Sequence, residues 1–285
     1  MDFSKVRLIC SDLDGTLLSP DGAATEATLA DITRLSEKGI EVVPTTGRSF
    51  GAVNKSLRNH PSIRYIISSD GSVINDLKTG ERDEELLTGE SLRKVLEIFA
   101  DYEVLYVNHI RGNDVVAYED ATELAFDRYN VSDYYRKFIA ERTVRAESRE
   151  KLLAEESVEF VCGIFPNEDE YEEAKTRAME IEGVTVASAG HGILEVVSNK
   201  AGKGNGVIRI AKRLGIPLDC TITVGDSEND LSMIRVTPMS FAMENASLAL
   251  KQEANFTACS NLECLAEYFE GVIEGRIIPK KRAIN

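Results

Sequence analysis

The sequence predicts an α/β protein in which a parallel sheet, covered by helices on both faces, is interrupted by an inserted α+β module. Apolar strands and amphipathic helices alternate through residues 1–80, and the same alternation returns after residue 204. Between these stretches, strand patterns follow one another without intervening helices, which favours antiparallel pairing. We therefore expect three layers of helix, sheet and helix from the outer parts of the chain, and a separate α+β unit from the middle.

The N-terminal stretch shows the alternation most clearly. Residues 6–10 form a largely apolar run, which is typical of a strand buried on both faces of a sheet. Residues 26–38 place apolar side chains on one helical face, and Gly39 ends that helix. The same reasoning predicts a strand at 40–43, a helix around 50–58 and a strand at 63–67.

The middle and the end of the chain carry the remaining elements. Strands in the middle are predicted at 103–109, 115–118, 158–165, 184–187 and 193–197, and helices near 91–100, 121–129 and 167–181. Later elements are a helix at 204–214, a strand at 221–224 and helices near 228–234, 246–251 and 262–269. With hinges at 82–85 and 198–202, the predicted units are an outer one of residues 1–82 and 199–285, and an inserted one of residues 83–198.

Composition indicates an ordinary globular protein and argues against some partners. The 285 residues carry a net charge of -15, and 43% of them are hydrophobic. Because phosphate backbones bind basic faces, we expect no nucleic acid partner. The N-terminal residues lack the apolar stretch of a signal peptide, and no apolar run has the ~18 residues of a membrane span, so we expect a cytoplasmic protein with no membrane partner. The five cysteines lack CxxC spacing, which predicts neither disulfides nor a zinc site.

The segment Asp-Leu-Asp-Gly-Thr-Leu at 12–17 directly follows the first predicted strand. Asp12 and Asp14 lie two residues apart, so in an extended backbone their carboxylates point the same way into one small space. Gly15 allows a sharp turn after them, and Thr16 can bind backbone donors in that turn. Such crowding is stable only with a cation or a shared proton. An isolated pair of this kind also fits a solvated acidic turn or a helix cap.

Three further polar segments stand at the ends of predicted core elements. Pro-Thr-Thr-Gly-Arg at 44–48 follows the second strand, Lys203-Gly204 opens a helix, and Gly-Asp-Ser-Glu-Asn-Asp at 225–230 follows a late strand. In an open parallel sheet, ligands bind outside the carboxyl ends of the strands, where helix N-termini attract anions. Each segment alone also fits a simple loop or a solvated charge. Together they predict one anion-binding crevice.

These four segments, in this order, resemble the four motifs of the haloacid dehalogenase superfamily of phosphatases. The insertion between the second and third motifs resembles the cap of the Cof-like subclass, IIB. Segments 68–74 and 241–246 are similar to two further family elements, except that Asp70 replaces the usual Asn and Glu244 the usual Gly. The resemblance implies a Rossmann-like core of three layers with an inserted α+β cap, and a magnesium-dependent phosphatase.

The resemblance also assigns roles to the motif residues. It implies that Asp12 attacks phosphorus to form an aspartyl-phosphate, while Asp14 acts as general acid and then as base. Magnesium would be bound by the carboxylates of Asp12 and Asp226 and the backbone carbonyl of Asp14, with Asp230 holding Lys203 or a metal-bound water. The implied phosphate-binding residues are Leu13, Thr46, Gly47, Lys203 and Asn229. Arg48 either joins them or forms a structural ion pair.

Substrate selection is assigned to the cap. Candidate specificity residues follow the first predicted cap strand or lie behind it, and each also fits a surface turn or a packed aromatic: Asn108, His109, Arg111, Tyr134, Tyr135 and His191. The expected substrate is a small phosphate monoester, most commonly a sugar phosphate, with pyridoxal phosphate and flavin mononucleotide as alternatives. We expect a monomer or weak homodimer. Alternative functions are a receiver-like signalling protein, a non-catalytic sugar-phosphate binder and a phosphomutase of the same superfamily.

Overall fold

The computed structural model describes residues 1–188 and 192–282, which fold into two compact units. The core unit contains Met1–Gly47, Val53–Asp83 and the chain from Lys203 onward, and the cap unit contains Arg48–Ala52 and Glu84–Gly202. The chain thus changes units one residue later than predicted at the first hinge and four residues later at the second. Segment Arg48–Ala52 belongs to the cap unit because the Gly51 amide donates to the Gly112 carbonyl and Ser49 donates to Asp114.

The strands are numbered in chain order. They are β1 (Leu8–Ser11), β2 (Glu41–Pro44), β3 (Tyr65–Ser68), β4 (Val73–Asp76), β5 (Arg82–Glu84), β6 (Leu87–Thr88), β7 (Leu105–Tyr106), β8 (Asn108–Ile110), β9 (Asn113–Ala117), β10 (Val144–Ala146), β11 (Ser157–Val158), β12 (Val161–Ile164), β13 (Val184–Ser188), β14 (Ile193–Ser198), β15 (Thr221–Gly225), β16 (Met239–Ala242), β17 (Phe256–Thr257) and β18 (Lys280–Lys281).

The α-helices follow the same numbering. They are α1 (Glu26–Glu37), α2 (Lys55–Arg58), α3 (Gly89–Ala100), α4 (Glu123–Arg128), α5 (Asp133–Arg142), α6 (Arg149–Leu153), α7 (Glu168–Met179), α8 (Lys203–Leu214), α9 (Leu231–Ile234), α10 (Leu248–Glu253) and α11 (Leu265–Ile273). Among the residues that the structure describes, no helix combines the length and the apolar character needed to cross a membrane.

The core unit is built on the predicted parallel sheet. Its strand order is β18-β17-β16-β15-β1-β2, and every pair is parallel except β17 with β18. Strand β3 continues this sheet through a parallel bridge between Thr45 and Ile67 and then pairs antiparallel with β4. Because β1 lies between β15 and β2, the carboxyl ends of these three strands meet at one edge.

Helices cover both faces of this sheet. Leu8 and Cys10 of β1 pack with Val207 and Ile210 of α8 in one buried cluster. Ser11 of β1, Val224 of β15 and Phe241 of β16 lie side by side in the sheet. Because side chains alternate along a strand, these three point to the face opposite to that of Leu8 and Cys10. There the ring of Phe241 packs edge-on against Phe269 of α11, at a centroid distance of 5.0 Å. The predicted α/β class with helix, sheet and helix layers is confirmed.

The cap unit has an antiparallel sheet of order β13-β14-β12-β7 and a second sheet of order β10-β9-β8, in which β9 and β10 are parallel. The single strand predicted at 103–109 is wrong, since β7 and β8 belong to different sheets. Where β7 gives way to β8, the Asn108 side chain accepts a hydrogen bond from the Cys162 amide at 3.2 Å. This side-chain oxygen takes the place of the backbone carbonyl that would accept the bond in a continuous strand pair. The run at 158–165 is likewise divided between β11 and β12.

The predicted helix at 50–58 is also wrong. A short 3-10 turn at Phe50–Ala52 is followed by α2, and residues 53–54 separate them. The backbone of Asn54 is not helical, and its side chain donates to the Gly22 carbonyl at 3.0 Å. The two pieces also belong to different units, so local helical periodicity gives way to separate tertiary contacts.

Candidate active site

The first motif forms a tight turn after β1. Strand pairing ends at Ser11, and the amides of Leu17 and Leu18 return to the carbonyls of Asp12 and Leu13. Asp12 is buried and Asp14 is exposed, so the two carboxylates differ in solvent contact although the sequence places them two residues apart. Both residues lie beyond the end of β1 at Ser11, where the i, i+2 rule for extended strands no longer applies.

Gly15 is required at this turn for two reasons. Its φ of +76° lies in the left-handed region, and a Cβ atom there would overlap the carboxylate of Asp226. Thr16 donates from Oγ1 to Asp226 Oδ1 at 3.3 Å. The turn after β1 is therefore in direct contact with the loop after β15.

Lys203, the first residue of α8, lies at the centre of the carboxylate cluster. Its side chain is 1% exposed, and Nζ donates to Asp12 Oδ1 at 2.7 Å and to Asp230 Oδ1 at 2.6 Å. A buried ammonium is stable only with such partners. The predicted proximity of Lys203 to the first and last motifs is therefore present in the structure.

Asp230 organises the loop after β15. Its Oδ2 accepts from the amides of Asp226 at 2.9 Å and Ser227 at 3.0 Å, and its Oδ1 accepts from Lys203. The Cβ that any other residue would add at Gly225 would overlap Asp230, so this close approach also requires glycine. Both oxygens of Asp230 are therefore engaged by protein donors, which fits its predicted role of holding Lys203.

The carboxyl oxygens of Asp12, Asp226 and Asp230 approach within 4.8 Å of one another. Three carboxylates around one ammonium leave two negative charges without a counter-ion among these four groups. Hard oxygen donors of this kind suit Mg²⁺, whose charge would remove the excess. Because Asp230 is engaged elsewhere, Asp12 and Asp226 are the carboxylates that fit as direct ligands.

The excess negative charge also affects proton binding. Burial raises the pKa of Asp12 well above its ordinary range, and Asp230 and Asp226 add to this rise while Lys203 opposes it. Burial and the nearby Asp230 raise the pKa of Asp226. Burial would lower the pKa of Lys203, but Asp12, Asp230 and Asp70 raise it. Burial is the largest cause of the rise at Asp12 and Asp226, and the crowded negative charge adds to it, while the same negative charge holds the proton on Lys203.

The second motif meets the loop at Ser69–Gly71 beside this cluster. The Asp70 amide donates to the Thr46 carbonyl at 3.1 Å, and a Cβ on Gly47 would lie 3.1 Å from Asp70 Oδ1. Asn229 donates from Nδ2 to Asp70 Oδ1 at 3.3 Å. The carboxylate of Asp70 thus connects two predicted phosphate-binding segments. Leu13, in the turn after β1, has a fully buried side chain, so any phosphate contact from it falls to its backbone.

Asp70 is a site residue that the sequence indicated only as a departure from the family. It is 6% exposed, and its φ of +49° is unusual for a residue with a side chain. Ser69 shares that conformation. The sequence signal for this tight turn is the segment Ser-Ser-Asp-Gly at 68–71, whose residue types favour turns.

Within the cap unit, the predicted specificity residues make internal contacts. His109 Nε2 lies 2.7 Å from Asp114 Oδ1, and its ring contacts that of Phe160 at a tilt of 30° and a centroid distance of 3.5 Å. Burial would raise the pKa of Asp114, but His109 and Ser49 lower it. Arg111 is exposed and pairs with Glu155 at 2.7 Å.

The remaining candidates are placed less directly. Arg48 belongs to the cap unit and donates to the Ala52 carbonyl at 3.3 Å. Asn108 is buried at the break between β7 and β8. Tyr135 lies in α5, whereas His191 and the side chain of Tyr134 lie outside what the structure describes. Substrate selection by any of them stays a prediction.

Comparison with known proteins places this geometry in a family. The model of the haloacid dehalogenase-like hydrolases matches residues 9–266. Phosphatase YwpJ of Bacillus subtilis is 28% identical over 275 residues, covering 90% of this chain and 96% of the relative. A second B. subtilis relative, 5-amino-6-(5-phospho-D-ribitylamino)uracil phosphatase YwtE, is 27% identical, covering 93% of this chain and 96% of the relative.

A solved structure has the same fold. A sugar phosphatase of haloacid dehalogenase subclass IIB superposes with a TM-score of 0.78 at 20% identity, covering 95% of this chain and 100% of that one. The resemblance drawn from the four sequence motifs is confirmed.

Proposed function

Because the chain belongs to the haloacid dehalogenase-like hydrolases and is a phosphatase, we propose that it hydrolyses small phosphate monoesters with Mg²⁺ through a phospho-enzyme on Asp12. The observation that carries the proposal is the buried Lys203, which binds Asp12 and Asp230 beside Asp226 at the carboxyl edge of the sheet. This cluster combines a nucleophile, an anion-binding cation and a metal-binding pair in one unit.

Asp12 supplies the nucleophile. Lys203 holds one of its carboxyl oxygens, so the orientation of the carboxylate is set before substrate arrives. The other oxygen attacks phosphorus, the bond to the leaving alkoxide breaks, and Asp14 donates the proton that this alkoxide takes. In the second step water attacks the phosphorus, Asp14 accepts the proton, and inorganic phosphate leaves Asp12 free. The exposure of Asp14 supports this role, since its proton must exchange with solvent.

Charge stabilisation comes from several residues. Lys203 and Asn229, with Thr46, the Gly47 amide and the backbone of Leu13, would bind the phosphoryl oxygens. Asp12, Asp226 and the Asp14 carbonyl would bind Mg²⁺, which when present neutralises charge on the phosphoryl group. Asp230 keeps Lys203 and the Asp226 loop in place.

The substrate class is inferred from the cap and from relatives. The cap residues form a separate compact unit, as expected for an enzyme that selects small metabolites by their leaving group. One relative acts on a phosphorylated ribityl compound and one structural neighbour is a sugar phosphatase, by their names. We therefore propose a polyhydroxylated phosphate monoester, such as a sugar phosphate, as the substrate.

The test is a phosphatase assay with an aryl phosphate and Mg²⁺, followed by a panel of metabolite phosphates. We expect release of inorganic phosphate with at least one sugar phosphate. Binding of sugar phosphates without any release would instead identify a non-catalytic binder. Phosphate transferred to another position of the sugar would identify a mutase, and stable phosphorylation of the protein without turnover would identify a receiver-like switch.

A further inference from the structure

We propose that Asn245 is a positioning residue of this active site, whose side chain holds the turn after β1 against the loop after β15. Asn245 Nδ2 donates to the Gly15 carbonyl at 2.8 Å, across 230 residues of sequence. The inference rests on the proposed function, since Asp14 precedes Gly15 and Asp226 lies in the other loop. Asn245 itself is exposed and is placed by its contacts rather than by burial.

The orientation of the Asn245 amide is set from both ends. Its Oδ1 accepts from the backbone amide of Asn261 at 3.2 Å, while its Nδ2 faces the Gly15 carbonyl. A reversed amide would set oxygen against oxygen at Gly15 and NH₂ against N–H at Asn261. The donor is therefore directed at Gly15 by a contact on the opposite side of the side chain.

The backbone around Asn245 binds the second loop. The Met243 amide donates to the Gly225 carbonyl at 2.9 Å, and the Ser247 amide donates to the Asp226 carbonyl at 2.8 Å. The segment 243–247 thus binds the residues of the fourth motif through its main chain and the first motif through one side chain. A shift of either loop relative to the other must break one of these contacts.

The two loops tolerate little relative movement. The α-carbon of Gly15 lies against the Asp226 carboxylate with no space for a Cβ, and Thr16 binds Asp226 Oδ1. Catalytic groups must be held within about 0.5 Å of their productive positions. Releasing the Gly15 carbonyl should therefore shift the turn that carries Asp14 and Thr16 relative to Asp226, and so disturb the predicted metal site.

The experiment compares Asn245→Ala, Asn245→Asp and the control Asn261→Ala. The aspartate keeps the acceptor for the Asn261 amide but replaces the donor to Gly15 by a carboxylate oxygen. The control keeps the backbone amide that binds Asn245. We expect both Asn245 variants to lose about 2- to 10-fold in kcat at saturating Mg²⁺, to need a similarly higher Mg²⁺ concentration for half-maximal rate, and to keep KM within about twofold. Asn261→Ala should match the wild type.

Hydrogen exchange supplies a readout that does not depend on turnover. Mass spectrometry should show faster amide exchange in peptides covering residues 12–18 in both Asn245 variants, with unchanged exchange in the cap unit. If wild-type protein releases no phosphate, the proposed function fails, and exchange together with Mg²⁺ binding by calorimetry still decides the role of Asn245.

Two results would overturn the inference. Wild-type kcat, Mg²⁺ requirement and exchange in Asn245→Asp would show that only the bond to Asn261 matters. A loss of activity that merely follows a loss of folded protein, with Mg²⁺ requirement and exchange at 12–18 unchanged, would show that Asn245 contributes to stability alone.

Discussion

At the residue scale, Lys203 is the group on which the charge arrangement of the site depends. It lies between Asp12 and Asp230 with almost no solvent contact, and the raised pKa of Asp12 follows first from burial and then from the neighbouring carboxylates, against the opposing effect of the Lys203 ammonium. The proposed attack by Asp12 requires its ionised form, which the ammonium stabilises. The divalent cation that the cluster fits would stabilise this form further.

The role of Asp12 can be tested by replacing it with asparagine. Asp12→Asn keeps an oxygen that accepts from Lys203, so the fold should be preserved while the amide cannot act as the nucleophile. We expect kcat to fall by more than about 100-fold, equivalent to about 2.7 kcal/mol in the barrier. Steady-state kinetics measures the fall in kcat, and circular dichroism shows whether the fold is preserved. A variant that keeps a larger share of kcat would favour direct attack by water.

At the scale of the elements, the turns that follow the strands carry the site. The turn at Leu13–Leu17 and the loop beginning at Asp226 touch through Gly15, and the loop at Ser69–Gly71 reaches Asn229 through Asp70. Gly15 in the first turn and Ser69, Asp70 and Gly71 in the third have positive φ, whereas the approach of Asp230 to the loop after β15 depends on the missing Cβ of Gly225. The strands lead the chain to one edge of the sheet, and the turns after them bring the site residues into contact.

Two glycines allow the effect of backbone strain to be measured separately from the effect of crowding at the site. Gly15 and Gly39 share a φ of +76°, but a Cβ at Gly39 has nothing within 4 Å while one at Gly15 overlaps the Asp226 carboxylate. Both Gly→Ala variants should lose about 1 kcal/mol of unfolding free energy from the left-handed backbone. Gly15→Ala should in addition lose more than about 10-fold in kcat, because Asp226 must move.

Urea unfolding and kinetics on the two variants provide this comparison. Equal activity in Gly15→Ala and Gly39→Ala would show that contact between Gly15 and Asp226 is not needed for turnover. In that case the turn after β1 would be free to relax without affecting the predicted metal site.

At the scale of the whole molecule, the proposed Mg²⁺ binding predicts a link between metal concentration and global stability. A ligand that binds only the folded state stabilises it by about 2.7 kcal/mol at 100 times its Kd. Mg²⁺ should therefore raise Tm, chelator should abolish both this rise and the activity, and Asp226→Ala should remove most of the Tm response. Calorimetric melts of the wild type and of Asp226→Ala, with and without Mg²⁺, measure these changes in Tm. Full activity in excess chelator would contradict the magnesium assignment.

The cap unit should affect substrates unequally if it selects the leaving group. His109 is packed on Phe160 and bound to Asp114, so His109→Ala would disturb the cap fold. Arg111 is exposed, and its pairing with Glu155 is a surface contact of small stabilising effect, which makes Arg111→Ala the cleaner variant. We expect kcat/KM to change by different factors among sugar phosphates and to stay nearly constant for acetyl phosphate. One common factor for all substrates would exclude a role in selection.

Much of this protein follows from local patterns along the chain. Apolar runs and helical periodicity indicate β1, α1, α8 and β15 within a few residues, because buried strands and amphipathic helices need those patterns wherever they occur. The order of the four polar segments indicates the family and the residues of the site. Lys203 could be assigned to the cluster from the sequence because it opens a helix in a known order of motifs.

Other features depend on contacts between distant residues. The burial of Asp12 against the exposure of Asp14, the division of 103–109 between two sheets, and the transfer of Arg48–Ala52 to the cap unit all contradict local periodicity. The bonds from Asn229 to Asp70 and from Asn245 to Gly15 span 159 and 230 residues. Periodicity describes which face of an element is apolar, whereas these bonds depend on where loops from separate elements meet, so they emerge only when the chain is folded.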